Sequence, residues 1–382
     1  MAETSSGQVW FAVVAPGLEP LALAEARALG LDARAEEGGF TWTGDARSAL
    51  VANVSLRMAS RVVLRLASFE ARSFAELERH ARRVEWARIL RAGDHVRFRV
   101  TCKKSKLYHS DAVAQRLADA VIRSAPGVRA EGASVADDDV GDDAQLIVVR
   151  VMRDRCTVSA DSSGALLHRR GYRLATAKAP LRETLAAAML AAGEWDGSAP
   201  LVDPMCGSGT LAIEAAQMAR RIAPGLERPF SVERWPGAVP GMMEEVRADA
   251  ATVQKPSASV DIIGSDRDAG AIEAARTNAV RAGVEADVSL SVRALSSALI
   301  PSTGRGWIVS NPPYGLRVGE ADGVRDLWAQ LGNVLRERAR GWRVVLLSPD
   351  QALERQLRIR VRVVAQTSNG GIPVRIVVGD VP

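Results

Sequence analysis

The stretch Leu201-Val-Asp-Pro-Met-Cys-Gly-Ser-Gly-Thr210 decides how the second half of the chain folds. Leu201 and Val202 read as a short buried strand, and Thr210 to Ile222 reads as a helix. Between them, Gly207 and Gly209 permit a tight turn and a close backbone approach to a ligand. A helix that opens on such a turn offers free N–H groups to an anion. A bare Gly-x-Gly is also compatible with a merely structural turn. The eight-residue string from Asp203 to Thr210 is far more specific.

The same strand-helix rhythm continues on both sides of this string. Leu181, Leu185, Ala188 and Ala192 mark one helix face, stopped by Gly193. Strands are expected at Asp261 to Gly264, Val288 to Val292, Trp307 to Ser310 and Val344 to Leu347. Asp268 should cap a helix ending at Gly283, and Asp322 to Ala339 reads as another helix. Val361 to Ala365 and Val374 to Val378 read as a terminal hairpin around Asn369-Gly370-Gly371. The alternation predicts an α/β, Rossmann-like, doubly wound and mostly parallel sheet with an antiparallel C-terminal hairpin. Ala223 to Pro256 is rich in Pro and Gly and breaks the rhythm. It is expected to be an insertion on the site side of the sheet, with a helix from Met242 to Thr252.

Two further strings end strands of this sheet. Gly264-Ser-Asp-Arg-Asp268 places an acid where it can accept both hydroxyls of a ribose; Asp266 suits that role, because Asp268 is placed to cap the helix. Both acids could instead be turn and cap residues only. Trp307-Ile-Val-Ser-Asn-Pro-Pro-Tyr-Gly315 is the more telling one. Pro312 and Pro313 fix the backbone, so that a carbonyl is held pointing out of the turn. Asn311 adds a second oxygen acceptor, and Tyr314 offers a flat face to a base. An exocyclic amine is a poor nucleophile because its lone pair is delocalised into the ring. Two oxygens accepting its N–H bonds orient the nitrogen toward an incoming methyl group. With a sulfonium as the methyl donor, positioning and charge stabilisation supply much of the rate.

Upstream of Gly171 the chain reads differently. Strands are expected at Val9 to Ala15, Phe40 to Thr43, Arg61 to Ala67, Val96 to Thr101, Leu146 to Met152 and Arg155 to Ala160. Helical patterns span Pro20 to Leu29, Ala46 to Met58, Phe74 to Arg83, Trp86 to Leu90 and Asp111 to Arg123. This is an α+β pattern. The net charge of +5 says little, but its distribution says more. Arg57 to Lys106 holds 14 Lys or Arg against 5 Asp or Glu. Glu131 to Asp143 holds six acids and no base, and reads as a solvated loop. The chain has 45 Arg and five Lys, and three of the lysines fall in Thr101-Cys-Lys-Lys-Ser-Lys-Leu-Tyr-His109. Lys103, Lys104 and Lys106 beside Ser105, Tyr108 and His109 make a turn suited to phosphate contact.

Together, the Asp203–Thr210 and Asn311–Gly315 strings resemble the class I S-adenosylmethionine-dependent amino-methyltransferases. More narrowly the chain resembles the THUMP-domain guanine-N2 RNA methyltransferases, especially the module that modifies large-subunit ribosomal RNA. Lys104-Ser-Lys-Leu-Tyr-His109 is similar to the end of the THUMP core. His168-Arg-Arg-Gly-Tyr-Arg173 and Ala179-Pro-Leu-Arg-Glu-Thr184 are similar to the family's junction and first catalytic-domain helix. Phe11 to Gly30 is similar to its small ferredoxin-like segment. The resemblance implies a ferredoxin-like segment over 1–55, a THUMP RNA-binding domain over 56–165 and a methyltransferase domain over 170–382. It implies S-adenosylmethionine as cofactor, held by Asp203, Pro204, Met205, Cys206, Gly207, Gly209 and Thr210, by Asp266 and Arg267, and by Asn311. Pro180, Leu181 and Glu183 match the helix that borders the methionine end. Asn311, Pro312, Pro313 and Tyr314 match the target-amine motif. One position departs: related enzymes place an adenine-binding Asp after the third sheet strand, where this chain has Ala294. The ribosomal RNA relatives are also often fused to a second methyltransferase module, which is not expected here.

Cys102, Cys156 and Cys206 are too far apart for metal-ligand spacing, and no metal is expected. The start of the chain has no long apolar run, so the expectation is a cytoplasmic protein without a membrane span. The expected partner is RNA, ribosomal or transfer. The alternatives are a DNA adenine-N6 or cytosine-N4 methyltransferase and a catalytically weak RNA-binding assembly factor, which Ala294 favours.

Overall fold

Alternating apolar residues build the first sheet. The computed structural model describes residues 7–135, 143–173, 181–302, 304–314 and 321–382. Pro180, Gly315 and most of the acidic run (137–142) lie outside the described residues. The N-terminal elements are β1 (Gln8–Val14), α1 (Glu19–Ala28), β2 (Arg34–Glu36), β3 (Gly39–Gly44), α2 (Ala46–Ser55), β4 (Ala59–Glu70), α3 (Phe74–Ala81), β5 (His95–Lys103), α4 (Ser110–Ser124), β6 (Arg129–Ser134), β7 (Ala144–Met152) and β8 (Arg155–Asp161). They form one eight-stranded sheet in the order β2-β3-β1-β4-β8-β7-β5-β6. The twelve-residue β4 pairs with β1 on one side and β8 on the other, so a single strand joins both halves of this sheet. Trp86 to Leu90 holds only one 3-10 turn, Trp86–Arg88. Helix α2 stops at Ser55 because Leu56 has an extended backbone and is fully buried.

The second sheet follows the strand-helix alternation of the downstream half. Its elements are α5 (Glu183–Ala192), β9 (Leu201–Asp203), α6 (Thr210–Ala219), α7 (Met242–Thr252), β10 (Ile262–Asp266), α8 (Ala269–Arg281), β11 (Val288–Val292), β12 (Trp307–Ser310), α9 (Ala321–Arg338), β13 (Arg343–Ser348), α10 (Gln351–Gln356), β14 (Val361–Asn369) and β15 (Ile372–Asp380). The order is β11-β10-β9-β12-β13-β15-β14. The first five run parallel, and β15 and β14 are antiparallel. Strand order reverses between β9 and β12, and ligands of such sheets bind in the crevice beyond the carboxyl ends at that reversal. No described helix is long and apolar enough to cross a membrane.

The insertion is not on the site side. Helix α6 starts at the glycine turn and carries the chain about 15 Å away from it over ten residues. The segment after it therefore emerges at the opposite end of the sheet and packs on the N-terminal half. Gly225 N–H donates to Val54 O at 2.8 Å. The Trp235 ring stacks on Trp10 with centroids 6.3 Å apart, and its Nε1 donates to Gln145 Oε1 at 2.7 Å. Arg47 pairs with Glu245 at 3.2 Å, joining α2 to α7. A second junction is ionic and buried. Glu214 on α6, 0% exposed, meets Arg57 at 3.4 Å and Arg170 at 3.5 Å and accepts from Tyr172 Oη at 3.3 Å.

Candidate active site

Parallel pairing of β9 with β12 (Leu201 beside Trp307, Val202 beside Ile308) puts the two motif-bearing turns next to each other. Asp203 and Ser310 lock them together. Asp203 is 1% exposed and accepts from Ser310 Oγ at 2.6 Å and from Met205 N–H at 3.2 Å. Burial pushes its carboxyl up to about 7, opposed by the bonds from Ser310 and Met205. Asp203 thus faces the interior and holds the loop; it is not at the crevice surface.

Gly207 and Gly209 have φ of +52° and +83°, conformations that favour glycine. A Cβ at Gly209 would lie 2.9 Å from Ala275 Cβ, whereas one at Gly207 would meet no described atom within 4 Å. The space over Gly207 is open, and helix α6 starts beneath it. Pro204 and Cys206 are buried, and burial raises the Cys206 thiol. Asp266 is half-buried at the end of β10. Its Oδ2 accepts from Gly207 N–H at 3.0 Å and its Oδ1 from Asp268 N–H at 3.0 Å, which leaves a lone pair on each oxygen. Asp268 caps α8 by accepting from Gly270 and Ala271 N–H, and Arg267 is exposed. Ala294 is exposed at the head of a 3-10 turn and carries no side-chain acceptor; its carbonyl accepts from Ser297 N–H at 2.9 Å.

Glu183 opens α5 and is 3% exposed. Its Oε1 lies 3.1 Å from Arg173 Nη2, while Oε2 is buried with no hydrogen-bond partner among the described residues. Burial pushes this carboxyl up to about 7, with Arg173 pulling it down. Arg173 also donates to Leu181 O at 2.6 Å and Thr210 Oγ1 at 3.0 Å, so one guanidinium ties α5 to the start of α6. An unpaired carboxylate oxygen here suits an ammonium ligand.

Asn311 follows Ser310 directly. Its Oδ1 is buried and accepts from no described residue. No described residue donates to the Pro312 carbonyl, whereas the Pro313 carbonyl accepts from Trp328 Nε1 at 3.2 Å. Of the two proline carbonyls, Pro312 is therefore the one left to accept. Tyr314 is half-buried, and its Oη accepts from Asn369 Nδ2 at 2.8 Å.

The Lys turn is elsewhere. Lys103, Lys104, Lys106, Tyr108 and His109 are exposed beside the β7–β8 turn. Ser105 Oγ accepts from Asp154 N–H at 3.0 Å, and Lys106 N–H donates to Asp154 Oδ1 at 2.8 Å, so Ser105 braces the turn. The β7–β8 turn flanks the Glu70 end of β4, and the Ala59 end pairs with Val14 at the end of β1. Eleven residue steps of strand separate these ends by about 36 Å. Ser310, Arg173, Trp328 and Asn369 support the site, and sequence reasoning did not mark them as site residues; Ser310 and Arg173 lie inside the motif strings themselves.

Residues 170–377 match the RMKL-like methyltransferase domain, and residues 10–63 match the RlmL ferredoxin-like domain. The chain belongs to the RMKL-like methyltransferase family. It is 32% identical to slr0064 of Synechocystis sp., whose name assigns it to the RNA methyltransferases, over 95% of this chain and 94% of that one. It is 35% identical to the ribosomal RNA large subunit methyltransferase K/L of Syntrophotalea carbinolica, over 97% of this chain and 53% of that one. The chain thus spans about half the length of the K/L relatives it matches. Among solved structures, SMU.472, named as a methyltransferase complexed with SAH, is similar at TM-score 0.86 and 29% identity, covering 99% of both chains. A methylase-like protein of Clostridium difficile 630 is similar at TM-score 0.87 and 31% identity, covering 98% of both. The fold is that of the class I methyltransferases, preceded by a ferredoxin-like domain.

Proposed function

We propose that this protein transfers the methyl group of S-adenosylmethionine to the exocyclic amine of an RNA base, N2 of guanine in 23S ribosomal RNA. The observation that carries the reading is the buried Asn311 Oδ1, unpartnered among the described residues, beside the glycine turn. The residues present fit the cofactor. Glu183 Oε2 is free to accept from its ammonium, the N–H groups at the start of α6 suit its carboxylate, and Asp266 keeps lone pairs for the ribose. With no side-chain acceptor at Ala294, adenine is left to backbone atoms near it. Bound S-adenosylmethionine supplies a methyl group on a sulfonium. Asn311 Oδ1 and the Pro312 carbonyl accept the two N–H bonds of the target amine and aim its lone pair. Tyr314 presents its ring to the base. No general base is required, since the extra proton leaves to solvent after transfer.

We assign residues 1–55 to the ferredoxin-like segment, 56–165 to a THUMP domain that grips RNA by shape and phosphates, and 170–382 to the methyltransferase domain. The large-subunit names of the K/L relatives support ribosomal RNA as substrate. Incubating the protein with methyl-labelled cofactor and rRNA, tRNA or duplex DNA tests this; label in rRNA, recovered as N2-methylguanosine after digestion, is expected. Label in DNA alone would sink the reading and favour the activity named for a 28% identical Listeria monocytogenes protein, an N6-adenine-specific DNA methylase. Asn311→Ala should keep cofactor and RNA affinity while turnover falls by two orders of magnitude or more, roughly the cost of deleting one oriented acceptor or donor. Undiminished turnover would remove Asn311 from the mechanism.

A further inference from the structure

The face that Tyr314 offers to a base is set from outside its own loop. Asn369 donates Nδ2–H to Tyr314 Oη at 2.8 Å across 55 residues of chain. Asn369 is 5% exposed, so this amide is not a surface group making a chance contact. It ends β14 directly opposite Ile372. Gly370 and Gly371, at φ +58° and +87°, close the hairpin as a two-residue turn with both central residues left-handed, which fixes the register of the strands. The amide therefore starts from a rigid point. β15 runs antiparallel to β13 and pairs Arg375 with Ser348, so the hairpin turn lies at the carboxyl end of the parallel strands, where the crevice opens.

Tyr314 packs against both apolar clusters of the molecule, which restrains where its ring sits. Burial raises its hydroxyl, and the bond from Asn369 opposes that effect. Packing against the two clusters limits rotation of the ring about its long axis, and the hydrogen bond at Oη, which lies on that axis, fixes where its far end sits. The consequence concerns the base. An amine held by Asn311 Oδ1 and the Pro312 carbonyl can still pivot about the line joining those two acceptors. A ring held flat against the base removes that pivot, and small misalignments of reacting atoms are costly to transfer.

We propose that Asn369 is a positioning residue that pins the far end of Tyr314, so that its packed ring is held in place against the target base, making the C-terminal hairpin part of the substrate site. This rests on the reading of Asn311 to Tyr314 as the amine site. The test is a double-mutant cycle of Asn369→Ala and Tyr314→Phe on single-turnover methylation of rRNA, with S-adenosylhomocysteine affinity and Tm measured in parallel. Each single variant should slow transfer by about 2- to 12-fold, the weight of one neutral hydrogen bond. The double variant should be no slower than Tyr314→Phe alone, and cofactor affinity should not move. A wild-type rate in Asn369→Ala overturns the proposal. So does a further loss when Asn369→Ala is added to Tyr314→Phe, which would mean that Asn369 acts through hairpin stability. Asn311→Ala is assayed beside them: a full rate there sinks the amine-site reading itself, whereas a full rate in Asn369→Ala alone sinks only this inference.

Discussion

Glu183 shows how one buried atom becomes a pH-dependent property. Its carboxyl is pushed from 4.5 up to about 7, first by burial, with Arg173 opposing. In the cofactor-free protein, the folded chain then holds a proton that the unfolded chain lacks between these values. Stability from this group is full at low pH and is lost as pH rises through about 7. Binding has the opposite sign, because an ammonium needs the carboxylate. S-Adenosylhomocysteine should bind more tightly as pH rises from about 6 to about 8, where such a group titrates. Calorimetry on Glu183→Gln should find weaker binding and a flattened pH response; an unchanged slope would exclude Glu183 as its origin. Gly207, Asp266 and Asn311 were legible in the sequence because the chemistry demands those types at motif positions, whereas Glu183 was legible only through the family resemblance. Their supports were not. Ser310 reaches Asp203 across 107 residues, Arg173 reaches Thr210 across 37, and Trp328 reaches Pro313 across 15. Spacing within a motif carries no trace of contacts made only after folding.

Among elements, the turn into α6 is the one whose backbone leaves least choice. Gly209 combines φ +83° with a Cβ position 2.9 Å from Ala275 Cβ. Gly209→Ala should cost about 1–2 kcal/mol for the left-handed backbone alone. The crowding against α8 should in addition tilt the start of α6 and weaken cofactor binding. Denaturant unfolding and calorimetry check both, and an unaltered cofactor affinity would show that the turn adapts. Strong periodicity or turn chemistry made such elements readable, as with Asn369-Gly370-Gly371. Strands β2 and β6 escaped for a physical reason. Arg34–Glu36 has three residues and Arg129–Ser134 has no β-branched or large apolar side chain, and both lie at sheet edges where no buried face needs filling. The insertion was recognised by composition, but the end of the sheet it leaves from is set by the direction of α6, which composition does not encode.

At the scale of the molecule, two features have different energetics: one joins the halves, and the other is proposed to engage the substrate. The first is Glu214, which is buried against Arg57, Arg170 and Tyr172. Glu214→Ala strands two guanidiniums away from water and should destabilise the fold by about 3–5 kcal/mol, the typical cost of breaking a buried pair. Thermal unfolding reads this directly, and a loss below about 1 kcal/mol would mean that water reaches the junction, as at exposed pairs. The second is the Lys turn, which lies at the Glu70 end of β4, about 36 Å of strand away from the Ala59 end. On the proposed reading, an RNA bound in the crevice would have to extend to reach it, so the turn is expected to contribute to affinity for a long substrate and nothing to the transfer step. Asp154 and Ser105 brace its backbone, leaving the three ammonium groups exposed for phosphates. Replacing Lys103, Lys104 and Lys106 together by Ala should therefore lower the slope of log affinity against log salt by about 2–3, since each lost phosphate contact removes roughly 0.7–0.9. Cofactor affinity, Tm and the single-turnover rate at saturating RNA should stay at the values of the unmodified protein. An RNA fragment too short to span the distance should bind both proteins equally. A salt slope that does not change with the long RNA would assign phosphate contact to the arginines instead and leave the lysines as ordinary surface charge.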